Sequence, residues 1–177
     1  MATGVFPQIM NNFNVYSNGT DKLMGIGKEV KLPDIQMKTA TGDFAGVAGE
    51  IEVPVQGQPQ SMTVELNFDV LDDTAINAIQ TSGKVDVTLR GSAQTIDASD
   101  VSIINQPAKA VIKGMLKQLT SGSFKKSDNM GASITVEVLY YSYTYGDSDS
   151  PNIEIDKLNN VCKIGGADLS SGISYQI

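Results

Sequence analysis

Apolar and polar side chains alternate without a break from Met62 to Val70. Met62, Val64, Leu66, Phe68 and Val70 share one parity; Thr63, Glu65, Asn67 and Asp69 share the other. Successive side chains of a strand point to opposite faces, so this period of two describes a strand with one buried and one wet face. The period returns at Val85, Val87 and Leu89, and at Ile153 and Ile155. From about Ala108 to Leu119 it sets Ala110, Ile112, Gly114 and Leu116 opposite Lys109, Lys113 and Lys117. It also runs through Ile134, Val136, Val138 and Tyr140, after which Tyr141, Tyr143 and Tyr145 take the other parity. A slip of one residue predicts a β-bulge or a change in which side is covered. Valine and isoleucine together number 31 against 10 leucines, a bias that suits a pleated sheet.

Other segments fit around these strands. Phe13–Tyr16 reads as a short strand ending in a Ser17-Asn18-Gly19 turn. A strand is expected from Ile26 to Leu32, closed by Pro33-Asp34, with extended chain from Ile35 to Thr41. Residues 40–49 are small and lack any period, so they read as a mobile projecting loop whose sizeable apolar side chains are Phe44 and Val47. Ile51, Val53 and Val55 form an edge-like strand, because Pro54 cannot donate to a ladder. Turns are expected at residues 56–59, 146–151 and 165–166, and a polar loop at 121–131. One helix of roughly ten residues is expected, with Asp72 and Asp73 at its start, Ala75, Ile76 and Ile79 as its stripe, and Gly83 at its end. The expectation is a single mainly β domain over residues 1–177, with one short helix packed on its sheet.

The composition narrows the chemistry. Histidine is absent, which removes the commonest general base and zinc ligand. Cys162 is the one cysteine, so no internal disulfide forms, and with no histidine to activate it, it reads as a small core residue. Net charge −7 argues against binding nucleic acid by phosphate neutralisation. No apolar run approaches the ~20 residues that span a bilayer, and the start lacks a signal-peptide pattern, so folding in a reducing cytoplasm is expected. The carboxylate pairs have plain readings: Asp72/Asp73 cap a helix, Asp147/Asp149 sit in a turn, and Glu154/Asp156 share a strand face. Asp147-x-Asp149 fails the spacing of a calcium loop. Gly25-Ile26-Gly27-Lys28 is a fragment of a phosphate loop, better read as a tight hairpin. No catalytic, cofactor-binding or metal-binding residue is assigned. The tyrosine run fits a sheet face or an interface, and less well a platform for sugars or bases.

The order of features resembles the major tail tube protein of contractile-tailed phages and of R-type bacteriocins. Residues 12–19 (Asn-Phe-Asn-Val-Tyr-Ser-Asn-Gly) are similar to that family's first strand and turn. Val30-Lys31-Leu32-Pro33 is similar to its "V-x-L-P" strand end, and Ser61-Met62-Thr63-Val64-Glu65 to the strand after its small-residue loop. Residues 112–117 resemble its "RG-x-x-K" strand, residues 153–159 its "EID-x-x-N" segment, and Gly165-Gly166-Ala167-Asp168 its "N-G-x-D" turn. Lys113 stands where arginine is usual, Gly165 where asparagine is, and the tail beyond Asp168 is short.

The resemblance implies a β-barrel or sandwich with one short flanking helix, six copies in a ring with their sheets joined, and rings stacked as a hollow tube inside a contractile sheath. It implies an inter-ring role for the loop at Gly42, Phe44, Gly46, Val47 and Gly49. Glu65, Asn67 and Asp69 become candidates for the channel wall. Implied partners are further copies, a sheath protein, baseplate and tail-terminator proteins, a tape-measure protein in the lumen, and DNA in transit without specific binding. Assembly would take place in the bacterial cytoplasm, and the product would be a virion tail or a released particle. The alternatives are a type VI secretion-like inner tube and a carbohydrate-binding β-sandwich module.

Overall fold

The alternating segments all become strands. The structure, a computed structural model, describes residues 5–23, 26–43, 46, 48–79, 82–97 and 101–171. In chain order these are β1 (Val5–Ser17), β2 (Asp21–Leu23), β3 (Met37–Asp43), β4 (Glu50–Pro59), β5 (Thr63–Phe68), α1 (Asp73–Asn77), β6 (Lys84–Asp97), β7 (Ile103–Thr120), β8 (Ala132–Tyr145), β9 (Ile153–Asp156), β10 (Val161–Ile164) and β11 (Ala167–Asp168).

Nine strands form one antiparallel sheet in the order β11-β10-β9-β8-β7-β6-β1-β2, with β5 also on β8. β8 lies against β7 along one side and divides its other side in two. Its first half, 132–137, pairs with β5, and Tyr140–Tyr143 pair with β9. Between them is the slip expected from the tyrosine parity. Gly114 lies opposite Val138 and Lys113 opposite Tyr140, leaving Leu139 as the extra residue of a bulge. Ile134, Val136 and Val138 are buried before it, and Tyr141 after it. Gly114 is the residue that permits this: a Cβ there would stand 2.1 Å from the Glu137 carbonyl oxygen.

Met62, Val64, Leu66 and Phe68 are buried with Val85, Val87, Ile112 and Ile134 in one core. Burial of a side chain of this kind contributes roughly 1.5–3 kcal/mol. Val70 breaks the expected alternation and is 58% exposed, since the strand ends at Phe68. The folded-over sheet is sandwich-like and does not close into a barrel. Its far side reaches β5 at one antiparallel bridge, Ile26 to Phe68, where the Gly27 N–H donates to the Asn67 carbonyl at 2.8 Å. That bridge replaces the hairpin expected at residues 25–28, of which Gly25 lies outside the described residues.

Four further expectations are corrected. Residues 27–36 form no strand; Val30, Leu32 and Ile35 pack on the core by their side chains instead, while Pro33 has no N–H to offer a ladder. Ala40–Asp43, expected as loop, are the end of β3 and pair with Glu50–Val53, and residues 56–59, expected as a turn, continue β4. The helix has five residues rather than ten. Asp72 caps it by accepting from the Ala75 N–H at 2.8 Å, and it stops at Ala78 because Ile79 bridges to Val85.

Candidate functional site

What the fold leaves unfinished is backbone. β6, β7 and β8 are flanked on both sides for most of their length, whereas β1 meets β2 only through Val15–Ser17. From Val5 to Asn14, β1 has β6 on one side and no described strand on the other. The β3–β4 hairpin is a two-stranded sheet of its own, with both outer edges open among the described residues. A row of unpaired N–H and C=O groups is a template for another chain.

The hairpin is held at its root and free beyond it. The Gln60 N–H donates to the Gln36 carbonyl at 2.7 Å, and the Gln60 side-chain amide donates to the Met37 carbonyl at 3.1 Å. Gly57, at φ +70°, lets the β4 backbone close on Leu169 and Ser170, which would stand 3.0 Å from a Cβ. Outward from there Ile51 and Val53 are 39% and 47% exposed, apolar surface that the subunit itself does not cover. Of the five loop residues singled out in the sequence, Gly42 sits in β3 opposite Ile51. Gly46 and Gly49 have φ of +91° and +102°, with nothing within 4 Å of a Cβ position. Phe44 and Val47 lie outside the described residues.

Glu65, Asn67 and Asp69 are exposed on the side of β5 away from the core, as their parity requires. They are not equivalent. Glu65 and Asn67 line a polar cleft of about 390 Å³ with Glu29, Thr135 and the Lys31–Asp34 ion pair. The Asn67 carbonyl is taken by Gly27. The Asp69 carboxylate accepts from the Asn129 side-chain amide at 2.8 Å, and its carbonyl accepts from the Met130 N–H at 2.7 Å, so it anchors the 121–131 loop.

Several other ionisable groups serve turns or pair across strands. The hydroxyl of Thr74 and the N–H of Ala75 hold the Asp72 carboxyl below its usual value. Asp156 accepts from the N–H groups of Leu158 and Asn159 in the β9–β10 turn, and Glu154 pairs with Lys163 at 3.3 Å. Burial tends to raise the Glu137 carboxyl, but the Ser61 hydroxyl, Lys157 and Lys117 outweigh it and leave it lowered. Cys162 is buried, and burial together with nearby Asp168 pushes its thiol up, away from nucleophilic character. The tyrosines do not form one platform. Tyr141 is 3% exposed in the core, Tyr143 is half-buried against it, and the Lys113 ammonium lies over the Tyr140 ring at 6.0 Å.

Two features escaped the reading of the sequence. The open edge of β1 carries no side-chain signal. Phe124, the one apolar aromatic in the 121–131 loop, was visible as a residue, but its exposure was not.

An exposed sheet border and a hairpin free beyond its root suit a subunit that joins other subunits. Residues 7–177 match the family of phage tail tube protein FII, and the chain belongs to that family of structural tail tube subunits. Among relatives, the tail tube protein of Escherichia phage P2 is 24% identical over 165 residues, spanning 92% of both chains.

Proposed function

We propose that this subunit closes into hexameric rings that stack as the hollow inner tube of a contractile particle, a phage tail or an R-type bacteriocin, and that the tube is driven through the target envelope when the sheath contracts. The observation that carries this reading is the open β1 edge at Val5–Asn14, together with the two open edges of the β3–β4 hairpin. Contacts that close around an axis give a ring, and contacts along it that do not close give a filament. The function is mechanical and needs no catalysis.

In this reading the hairpin tip, with Gly42, Phe44, Gly46, Val47 and Gly49, reaches the adjacent ring. Glu65 and Asn67 face the channel, whereas Asp69 serves the 121–131 loop. An acidic wall repels DNA phosphates within roughly 8–10 Å, so cargo slides rather than sticks. The sheath, the baseplate and terminator proteins, and a tape-measure protein are the further partners, and assembly takes place in the bacterial cytoplasm. Electron microscopy and sedimentation of the purified chain test the reading. Tubes or stacked rings are expected; a species that stays monomeric at high concentration would overturn it.

A further inference from the structure

The molecule carries an apolar projection and, on a separate surface, an apolar cleft. Phe124 is 97% exposed, at the far end of β7. Its loop is not loosely held. The Ser123 N–H donates to the Met130 carbonyl at 2.8 Å, and Asp69 takes both Asn129 and Met130. Gly122, at φ +75°, is required because a Cβ would stand 2.3 Å from the Met130 carbonyl oxygen. An exposed ring on a pinned loop has little ordering entropy left to lose on docking.

The cleft, of about 210 Å³, opens where β5 no longer covers the inner face of the sheet. Phe13, Val30, Leu32, Leu89, Ala110 and Tyr143 line it. An apolar cavity of about 150 Å³ holds a benzene ring, so the cleft has room for one aromatic side chain. Phe124 itself is almost wholly exposed, so it does not occupy the cleft of its own chain.

Charge favours a second copy as the occupant. Lys125 and Lys126 flank Phe124; Lys125 pairs with Asp128 at 3.8 Å, and Lys126 has no ion-pair partner among the described residues. The cleft rim mixes Lys28 and Lys109 with Glu29. Beside it lies the 146–151 turn, tied to the cleft wall by the Gly146 N–H to the Pro107 carbonyl at 2.8 Å. That turn adds exposed Asp147 and Asp149, neither of which has an ion-pair partner among the described residues.

We propose that Phe124 of one subunit inserts into the Phe13–Leu89–Tyr143 cleft of the next, with Lys126 approaching Asp147 and Asp149. This rests on the self-assembly proposed above. Projection and cleft are different patches, so a one-way contact between them is head-to-tail, leaves each subunit a further cleft to fill and propagates.

Two measurements on the full chain test it. The Phe124→Ser variant should match the parent in circular dichroism and melting, since the ring touches nothing in the subunit, and should raise the critical concentration for assembly about 10–100-fold. An unchanged critical concentration overturns the docking. Benzoylphenylalanine placed at position 124 should, on illumination of assembled tubes, attach to a neighbouring copy within residues 10–13, 28–32, 89–91, 108–110 or at Tyr143. Tubes that form with adducts elsewhere overturn the contact and leave the tube reading standing. An unmodified chain that never assembles overturns both.

Discussion

Two residues at the bulge show how much of this fold rests on single positions. Gly114 is not a flexible joint; it is a place where another backbone occupies the space of a side chain, with the Glu137 carbonyl 2.1 Å from any Cβ. Gly114→Ala must push β7 from β8 or flatten the bulge. A loss of at least ~1–3 kcal/mol is expected, read as a fall of several degrees in the melting temperature. An unchanged melting curve would mean that the strands part there at no cost. Tyr141, the first inward residue after the bulge, answers to pH. Burial, with a smaller contribution from Tyr143, pushes its phenol from 10.0 up to about 12. The folded state therefore holds the proton more tightly than the unfolded chain. Stability from this group is complete below pH 10 and is lost as pH rises from 10 through about 12. A shift of this size amounts to on the order of 2–3 kcal/mol. Urea unfolding of the parent should weaken more between pH 9 and pH 11 than that of Tyr141→Phe; equal losses in the two proteins would refute the assignment.

At the scale of elements, the β3–β4 hairpin separates folding from assembly. Its strands pair with each other and touch the main sheet mainly near the root, so removing the outer part should not disturb the core. Thr41 lies opposite Glu52, and Asn-Gly in place of residues 42–51 would join them as a two-residue turn. This shortened chain should fold with the parent's near-ultraviolet spectrum and fail to form tubes. Long tubes from it would remove the hairpin from the assembly contact. The hairpin also marks where the sequence stops being readable. Alternation revealed β5 and the inner stretches of β6, β7 and β8, because there one face is buried and selection by water leaves a period. It revealed neither the largely exposed Ala40–Asp43 nor residues 92–97 and 103–107: Ala93 and Thr95 are buried, but a small and a polar side chain leave no apolar period, and Ile103 and Ile104 are adjacent rather than alternating. The segment 27–36 misled for the opposite reason: Val30, Leu32 and Ile35 bury their side chains without joining a ladder. The candidate channel residues were placed by parity alone, and parity could not tell free Glu65 from Asp69, which is bound to a loop 60 positions away.

Across the whole molecule, the unmet hydrogen-bonding capacity is unevenly distributed. Most of β6, β7 and β8 forms the satisfied interior of the sheet, and among the described residues the shortfall lies at its borders: on β1 before Val15, on the side of β5 away from β8, on β7 before Ala108 and on both flanks of the hairpin. In water these groups are hydrated and carry little penalty, so the isolated subunit can be stable and still be poised to polymerise. The net charge of −7 acts the same way, keeping copies apart until short-range pairing holds them. Hydrogen exchange separates the two populations of amides. In the monomer, amides of β6–β8 that bond within the sheet should exchange slowly, opening only with the core, and those on the outer side of residues 8–14 and of the hairpin should exchange quickly. On assembly the slow set should change little and the fast set should slow by orders of magnitude, because a neighbouring strand replaces water as their partner. Were the β1 amides to exchange as fast in tubes as in monomers, subunits would have to join through side chains alone, and the open border would be an edge the protein merely tolerates.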